Sequence, residues 1–524
     1  MLTRLGRLPA PARELAEAVA VLGDEVPLRY AAEVAGGELA DHVAAADRLV
    51  EANVLALPEP ISFAHPIVGS AVYADTPPAR RAQAHLRAAE LLHRDGAAVE
   101  AVAAHLLSAS RSGAEWVRRA LRGAAERAHA RGVPRAASRY LRRALDEGPG
   151  AQERGELLAL AGLAEAEAGE TTGTETLAEA VTLIEEPRRR AQALFDLAFV
   201  LTHGGRYPHA AEAAQRGRRE LGDADVALAA QLDALLAISK TYVDLTDAEA
   251  TARHVEASLA PAGLEAAAAG RAVLGNASIA LAFAGAPAGE IRELAGRALR
   301  RGEPADDAFD MMAFPLACFG MVLAGELEAA ERASAAAVEA ARRRGSILEL
   351  GAAVHVRSMA RYRAGRVVEA LADAESAVEA GRWGWGATLP MAHAQLVFAL
   401  LERGELERAE RALELPGGEQ RWAVNVSYGL FLIARAAVLN ARGRSQEALD
   451  QVLVAGRLAE AANARHAAFA PWRPLAVGIL LARGESEEAV RLADEDVERA
   501  RAFGAPGPLG ASLRARALVA SSDE

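Results

Sequence analysis

Leu400-Leu401-Glu402-Arg403-Gly404-Glu405-Leu406-Glu407-Arg408-Ala409-Glu410-Arg411-Ala412-Leu413 is the stretch whose reading decides the fold. A large apolar residue stands four positions before the glycine, and an alanine stands five positions after it. Glycine lets the backbone reverse without a Cβ penalty, and the small alanine lets the second helix approach the first. The run from Glu405 to Leu413 is amphipathic, as a half-buried helix must be.

The same unit recurs along the chain. Glycines between an apolar run and an Ala/Glu-rich run fall at Gly132, Gly169, Gly205, Gly285, Gly325, Gly365, Gly404, Gly443 and Gly484. Their spacing is about 40 residues, in the range of helix–turn–helix solenoids, with one double gap between Gly205 and Gly285. Leu245-Thr246-Asp247 stands where the missing turn belongs. Five positions after the glycine come Ala137, Ala210, Ala330, Ala370, Ala409, Ala448 and Ala489. Four positions before it come Leu201, Met321, Leu400, Leu439 and Leu480, with Ala128 and Arg361 as weaker cases. Nine positions after it come Leu141, Leu413, Val452 and Ala493. This is the spacing of tetratricopeptide repeats, so residues 124–524 resemble that family, with a period long enough to imply longer helices or loops. The pattern does not place the turns around Gly169 and within residues 240–265.

Composition agrees with stacked helices. Hydrophobic residues make up 52% of the chain and aromatics only 4%, so the apolar surface is mostly Ala and Leu. That favours closely packed helices over a β-sandwich, which needs Val, Thr and Tyr. A length of 524 residues exceeds one ordinary core and calls for several domains or an extended array. A net charge of −12 argues against broad contact with nucleic acid or anionic lipid. Lys240 is the only lysine, which reads as a coding bias toward arginine. Cys318 is the only cysteine, which excludes an intrachain disulfide and a cysteine zinc site and fits a reducing, cytoplasmic setting. The N-terminal residues contain no apolar signal core. The longest uncharged stretch, Ala272 to Gly289, contains Gly275, Asn276, Ser278, Gly285 and Pro287 and reads as a packed repeat helix ending at a turn, not as a membrane span.

Residues 1–75 lack the repeat. Helices are expected over Pro11–Leu22, Leu28–Val34 and Leu39–Ala52, stopped by Gly23 and Gly36-Gly37. Val54-Leu55-Ala56-Leu57, a Pro58-Glu59-Pro60 turn and Ile61-Ser62-Phe63-Ala64 then suggest a β-hairpin. Three helices and a hairpin make a winged-helix arrangement. The first sixty residues carry five basic side chains against ten acidic ones, and the third helix offers Arg48 against Glu38, Asp41, Asp47 and Glu51. That balance is wrong for a phosphate-flanked groove and speaks against DNA binding.

Ala18-Val19-Ala20-Val21-Leu22-Gly23, Leu49-Val50-Glu51-Ala52-Asn53-Val54-Leu55, Phe63-Ala64-His65-Pro66-Ile67-Val68, Ala71-Val72-Tyr73 and Pro78-Ala79-Arg80-Arg81-Ala82-Gln83-Ala84-His85 together look like one module. They resemble the winged helix that closes the ATPase unit of large ATP-binding LuxR-type transcriptional regulators, among the signal-transduction ATPases with numerous domains. Ala103-Ala104-His105-Leu106-Leu107 and Tyr140-Leu141-Arg142-Arg143-Ala144-Leu145 fit as well. The family order is P-loop ATPase, winged helix, tetratricopeptide-like repeats, then a helix-turn-helix. Gly-x-x-x-x-Gly-Lys-Ser/Thr does not occur here, and the chain closes at Val519-Ala520-Ser521-Ser522-Asp523-Glu524 with no basic recognition helix. The resemblance therefore implies the middle and sensor part of that architecture. It implies that His65 contacts a nucleotide phosphate, with the P-loop ATPase supplied in trans. Gly69 departs from the family, which usually has a basic residue there. The plainer role for His65 is to cap the helix after the hairpin.

Other chemistry is sparse. His85, His93 and His105 lack the i, i+4 spacing of a helical zinc site and read as packing or surface residues. No Gly-x-Ser-x-Gly and no His-Glu-x-x-His appears, and the acidic runs Glu485–Glu488 and Asp494–Asp496 read as solvated helix faces. Trp383, Trp385, Trp422, Tyr428, Phe431, Phe469 and Trp472 concentrate in the later repeats. They are candidates for a peptide or ligand groove, the alternative being core filling between repeats.

The expectation is an all-α chain: a winged helix over 1–75, a helical connector over 76–123, and a right-handed tetratricopeptide-like α-solenoid of nine or ten hairpins over 124–524. Its expected role is non-enzymatic, without cofactor or metal: a sensing or interaction region that binds a protein or small-molecule effector, without direct nucleic-acid or membrane contact. The alternatives are a split ATP-dependent switch through His65 and a stand-alone repeat scaffold.

Overall fold

The computed structural model describes residues 5–23, 25–37, 39–56, 60–243, 268–299, 308–422, 427–461 and 468–521. Among them lie 26 α-helices and one pair of short strands. The chain forms two compact units, residues 1–130 with 135–161, and residues 131–134 with 162–524.

The first unit opens with α1 (Ala10–Leu22), α2 (Leu28–Ala35) and α3 (Leu39–Glu51), followed by β1 (Leu55–Ala56) and β2 (Ser62–Phe63). The strands pair antiparallel, Leu55 opposite Phe63 and Ala56 opposite Ser62. Pro58 and Glu59 of the expected turn lie outside the described residues. Val26, between α1 and α2, adds a bridge to Ile61 that the sequence pattern did not announce. Leu15, Val19, Leu49 and Ile61 are fully buried in one cluster with Val54, Phe63 and Val72, which fixes the strand pair against the helices. There follow α4 (Pro66–Asp75), α5 (Pro78–Arg94), α6 (Val99–Leu106), α7 (Glu115–Ala130), α8 (Pro134–Asp146) and α9 (Ala151–Glu167).

The second unit continues as α10 (Gly173–Leu183), α11 (Pro187–His203), α12 (Tyr207–Leu221), α13 (Val226–Val243), α14 (Ala268–Ala284), α15 (Ala288–Ala298), α16 (Ala308–Ala324) and α17 (Leu327–Arg344). Then come α18 (Ile347–Arg363), α19 (Val367–Arg382), α20 (Leu389–Glu402), α21 (Leu406–Arg411), α22 (Tyr428–Ala441), α23 (Ser445–Ala461), α24 (Trp472–Ala482), α25 (Ser486–Phe503) and α26 (Pro506–Ser521). Each helix packs on its chain neighbours, the arrangement of a helical-repeat array.

The nine glycines of the repeat all adopt φ between 71° and 89°. At six of these turns the next residue donates its N–H back to the carbonyl four positions before the glycine: Arg206 to Leu201 at 2.8 Å, Glu326 to Met321, Arg366 to Arg361, Glu405 to Leu400 and Arg444 to Leu439 at 2.9 Å, and Glu485 to Leu480 at 3.0 Å. This closes the helix C-terminus and explains why Arg361 serves where a leucine is usual, since the acceptor is backbone. The alanines five positions on are buried to 1% exposure or less at Ala137, Ala210, Ala330, Ala370, Ala409, Ala448 and Ala489. Gly169 makes the same turn, with Glu170 donating to Glu165 at 2.8 Å. There the close approach is carried by glycine: a Cβ on Gly173 would stand 2.6 Å from the carbonyl oxygen of Gly162. Leu245-Thr246-Asp247 lies outside the described residues.

Two details differ from expectation. The helix expected through Leu413 ends at Arg411, because Pro416-Gly417-Gly418 follows and cannot continue it. The acidic runs are engaged: Arg491 pairs with Glu488 at 2.5 Å, Arg499 with Glu495 at 2.5 Å, and Ser512 donates to Asp496 at 2.6 Å. No helix among the described residues is long and apolar enough to cross a membrane, and α14, which carries most of the long uncharged stretch, is a buried repeat helix.

Candidate functional site

His65 precedes α4 as its N-cap, and its Nδ1 accepts from the backbone N–H of Ile67 at 3.2 Å. The side chain is exposed. Phe63 packs over Gly69 so closely that a Cβ there would stand 2.7 Å from the phenyl ring. A basic side chain at position 69 would have to displace Phe63.

His85, His93 and His105 pack against other rings. His85 and His105 share a hydrogen bond between their Nδ1 atoms at 3.0 Å, and His85 Nε2 meets the Tyr73 hydroxyl at 2.9 Å. Burial, with His105 and Arg81 close by, pushes His85 down to about 4. His93 stacks on Trp116 at 4.8 Å. No group of three or more metal-ligating side chains occurs among the described residues.

The later aromatics do not form one groove. Trp383 is 44% exposed and donates to Glu379 at 3.2 Å. Trp422 is buried and donates to the Pro416 carbonyl at 2.9 Å. Tyr428 stacks on buried Phe431 at 5.8 Å, and Trp472 packs over Gly456. Trp385 belongs elsewhere, to a chamber within the second unit that also draws rings from earlier repeats, and Phe469 packs behind its wall.

That chamber exists because two turns meet. Gly386 and Ala387 both donate their N–H groups to the carbonyl of His203, at 2.7 and 2.9 Å, and the Tyr207 hydroxyl donates to the Ala387 carbonyl at 2.7 Å. A Cβ on Gly205 would stand 2.6 Å from the Gly386 carbonyl oxygen, and one on Gly386 would stand 2.6 Å from that of Gly204. Only paired glycines permit this approach.

Behind the latch, α11, α12, α13, α16 and α18 and the Trp385–Thr388 segment enclose about 610 Å³ of atom-free space, mouth included. Its rings are Tyr207, Tyr242, Phe319, Trp385, His203 and His355. Tyr207 stacks on Tyr242 at 4.7 Å, and Phe469 supports the wall through Phe283 and Phe319. Among the described residues, no Asp, Glu, Lys or Arg lines it.

Two of its polar side chains are unusual. His355 is 3% exposed and Trp385 1%, and their rings lie 5.6 Å apart. Both nitrogens of His355 and the Trp385 Nε1 lack a hydrogen-bond partner among the described residues. A buried polar group left so costs about 1–3 kcal/mol. Burial pushes His355 down to about 3, so the imidazole is neutral. His203 is lowered by burial as well, and its Nδ1 donates to the Phe199 carbonyl at 3.0 Å. Thr388 precedes α20 without using its side chain as a cap. Cys318 is buried, and burial raises its thiol pKa, which keeps it protonated and unreactive.

Sequence reasoning named Trp385 and Phe469 but missed Tyr207, Tyr242, Phe319 and His355. The available signal was the glycine surplus in Gly204-Gly205 and in Trp383-Gly384-Trp385-Gly386, two more than the turns require.

No family model matches the chain, and no curated protein matches it. Solved structures do. The APC/C hetero-tetramer Cut9-Hcn1 aligns over 84% of this chain and 77% of its own at 11% identity and a TM-score of 0.48. A Signal Transduction ATPase with Numerous Domains protein with a tetratricopeptide repeat sensor, from Pyrococcus horikoshii, aligns over 93% of this chain and 66% of its own at 14% identity and a TM-score of 0.36. A Rap protein complexed with competence and sporulation factor aligns over 77% and 97% at 11% identity and a TM-score of 0.34. All three scores lie below 0.5.

Proposed function

We propose that this chain is a non-catalytic helical-repeat module that holds an effector in the chamber behind the His203–Gly386 latch. The observation that carries the reading is the buried pair His355 and Trp385, two residues of the chamber wall whose side-chain nitrogens have no partner among the described residues. A bound molecule would supply the missing hydrogen bonds. The chamber walls come from residues 202–242 and 315–388, so an occupant would join distant repeats and stabilise their contact. In a regulator of the kind the sequence resembles, this would be the sensing event. In a stand-alone repeat scaffold, it would tune the surface offered to a protein partner. The winged-helix reading of residues 1–75 is supported by α1–α3, the β1–β2 pair and the Val26–Ile61 bridge. A phosphate-sensing His65 acting with a P-loop ATPase in trans is the weaker proposal, since the imidazole already caps α4.

The test is a thermal-shift panel of neutral aromatics, organic anions, organic cations and short peptides, run on the whole chain and on Ala352→Phe. Ala352 is a half-buried lining residue, so the larger side chain fills the chamber from its rim. An effector stabilises only the open chamber, by an amount that grows with the logarithm of its concentration. If no compound distinguishes the two proteins, the reading is wrong.

A further inference from the structure

The chamber's chemistry restricts what can occupy it. With no charged residue among its described lining residues, an ion entering it would give up its hydration and meet no counter-charge there. Both lining histidines are held toward the neutral form by burial, so neither supplies a cation near neutral pH. The walls are predominantly rings, with Tyr207, Tyr242, Phe319 and Trp385 offering faces and edges for stacking. The polar features are few and directional. Trp385 Nε1–H can only donate. A neutral imidazole donates from one nitrogen and accepts at the other, and both His355 nitrogens are without a partner among the described residues. The protein therefore presents a donor beside a group that both donates and accepts, with the rings 5.6 Å apart.

We infer that the chamber takes a small, uncharged, planar heteroaromatic molecule whose edge carries a carbonyl next to an N–H, the edge of a lactam or cyclic amide. This rests on the chamber being the effector site proposed above. The carbonyl accepts from Trp385 Nε1–H, and the adjacent N–H donates to the accepting nitrogen of His355. The ring system lies among Tyr207, Tyr242 and Phe319. The space opens to solvent at its mouth, so a second fused ring can extend through it. The indole and imidazole nitrogens are shut off from solvent, so binding requires the side chains around them to move.

The experiment uses the whole chain and three probes on one bicyclic skeleton: carbostyril, which has the lactam edge; naphthalene, which has the rings alone; and quinaldate, which carries a carboxylate. Binding is measured by equilibrium dialysis. Carbostyril is expected to bind, naphthalene at least about tenfold more weakly, and quinaldate not measurably. Trp385→Phe and His355→Leu should each weaken carbostyril about tenfold or more relative to naphthalene, and circular dichroism reports that each variant is folded. His355→Gln serves where the leucine variant does not fold. Ala352→Phe should abolish both. Quinaldate binding as tightly as carbostyril overturns the inference, as does carbostyril binding that ignores both Trp385→Phe and the His355 variant. If the three probes fail while another compound class distinguishes wild type from Ala352→Phe, the ligand class is wrong and the effector chamber stands. If nothing distinguishes them, both fall.

Discussion

The Tyr207 hydroxyl donates to the Ala387 carbonyl at 2.7 Å, joining positions 180 residues apart in a chain whose other helix contacts run mainly between neighbours. Its ring meanwhile stacks on Tyr242 at 4.7 Å. Tyr207→Phe keeps the stack and removes the bond. It should cost about 0.5–1.5 kcal/mol, the net worth of one hydrogen bond. Urea unfolding of the two proteins measures it, and equal stability would mean that the Gly386 and Ala387 amides alone hold the latch.

The two kinds of glycine should separate on substitution. Gly443 has φ 76° and open space where a Cβ would stand, so Gly443→Ala should cost only backbone strain, about 1 kcal/mol. Gly205→Ala carries the same strain and also drives a Cβ to 2.6 Å from the Gly386 carbonyl oxygen. It should cost about 2 kcal/mol more, as overpacking does. Comparable denaturation midpoints for the two variants would argue against the latch.

The aromatic residues should divide by burial. Trp422 is 3% exposed, and Trp422→Ala should destabilise by about 3–5 kcal/mol through the cavity it leaves. Trp383 is 44% exposed, and Trp383→Ala should stay within about 0.5 kcal/mol. Guanidinium unfolding monitored by circular dichroism gives both values.

His355 makes stability depend on pH in a fixed direction. Its pKa falls from the ordinary 6.5 to about 3 in the folded chain because burial disfavours the cation. Between those values the unfolded chain binds a proton that the folded chain does not. Stability is therefore fully present above the ordinary value and is lost as pH falls toward 3. His355→Gln should reduce the slope of unfolding free energy between about pH 4 and 6 by ~1.4 kcal/mol per pH unit. An unchanged slope in urea titrations would mean that the folded imidazole takes up the proton.

The helical repeat was legible because its signals are local. A left-handed turn demands glycine, and a close helix crossing demands a small residue, so Gly404 and Ala409 announce each other within five positions. The helices before the hairpin were legible for the same reason, with Gly23 and Gly36 ending α1 and α2 at φ 101° and 84°. The chamber was not legible. Trp385 meets Tyr207 and Tyr242 only after several repeats have accumulated their small rotations, and no spacing rule carries that sum. His355 gave no signal at all, since a lone histidine in an apolar helix reads like any core residue. The turn at Gly169 escaped the pattern because Gly162 and Gly173 share the close approach that alanine makes elsewhere.

The latch also bears on how the array comes apart. A repeat protein bound only to its neighbours can unravel one hairpin at a time from either end. Here the His203 carbonyl and the Gly386 and Ala387 amides tie two distant repeats together, so a hairpin that melts between them frees only a closed loop of chain. That loop has fewer conformations to gain than a free end, so the amides between His203 and Gly386 should exchange their hydrogens more slowly than those near the C-terminus.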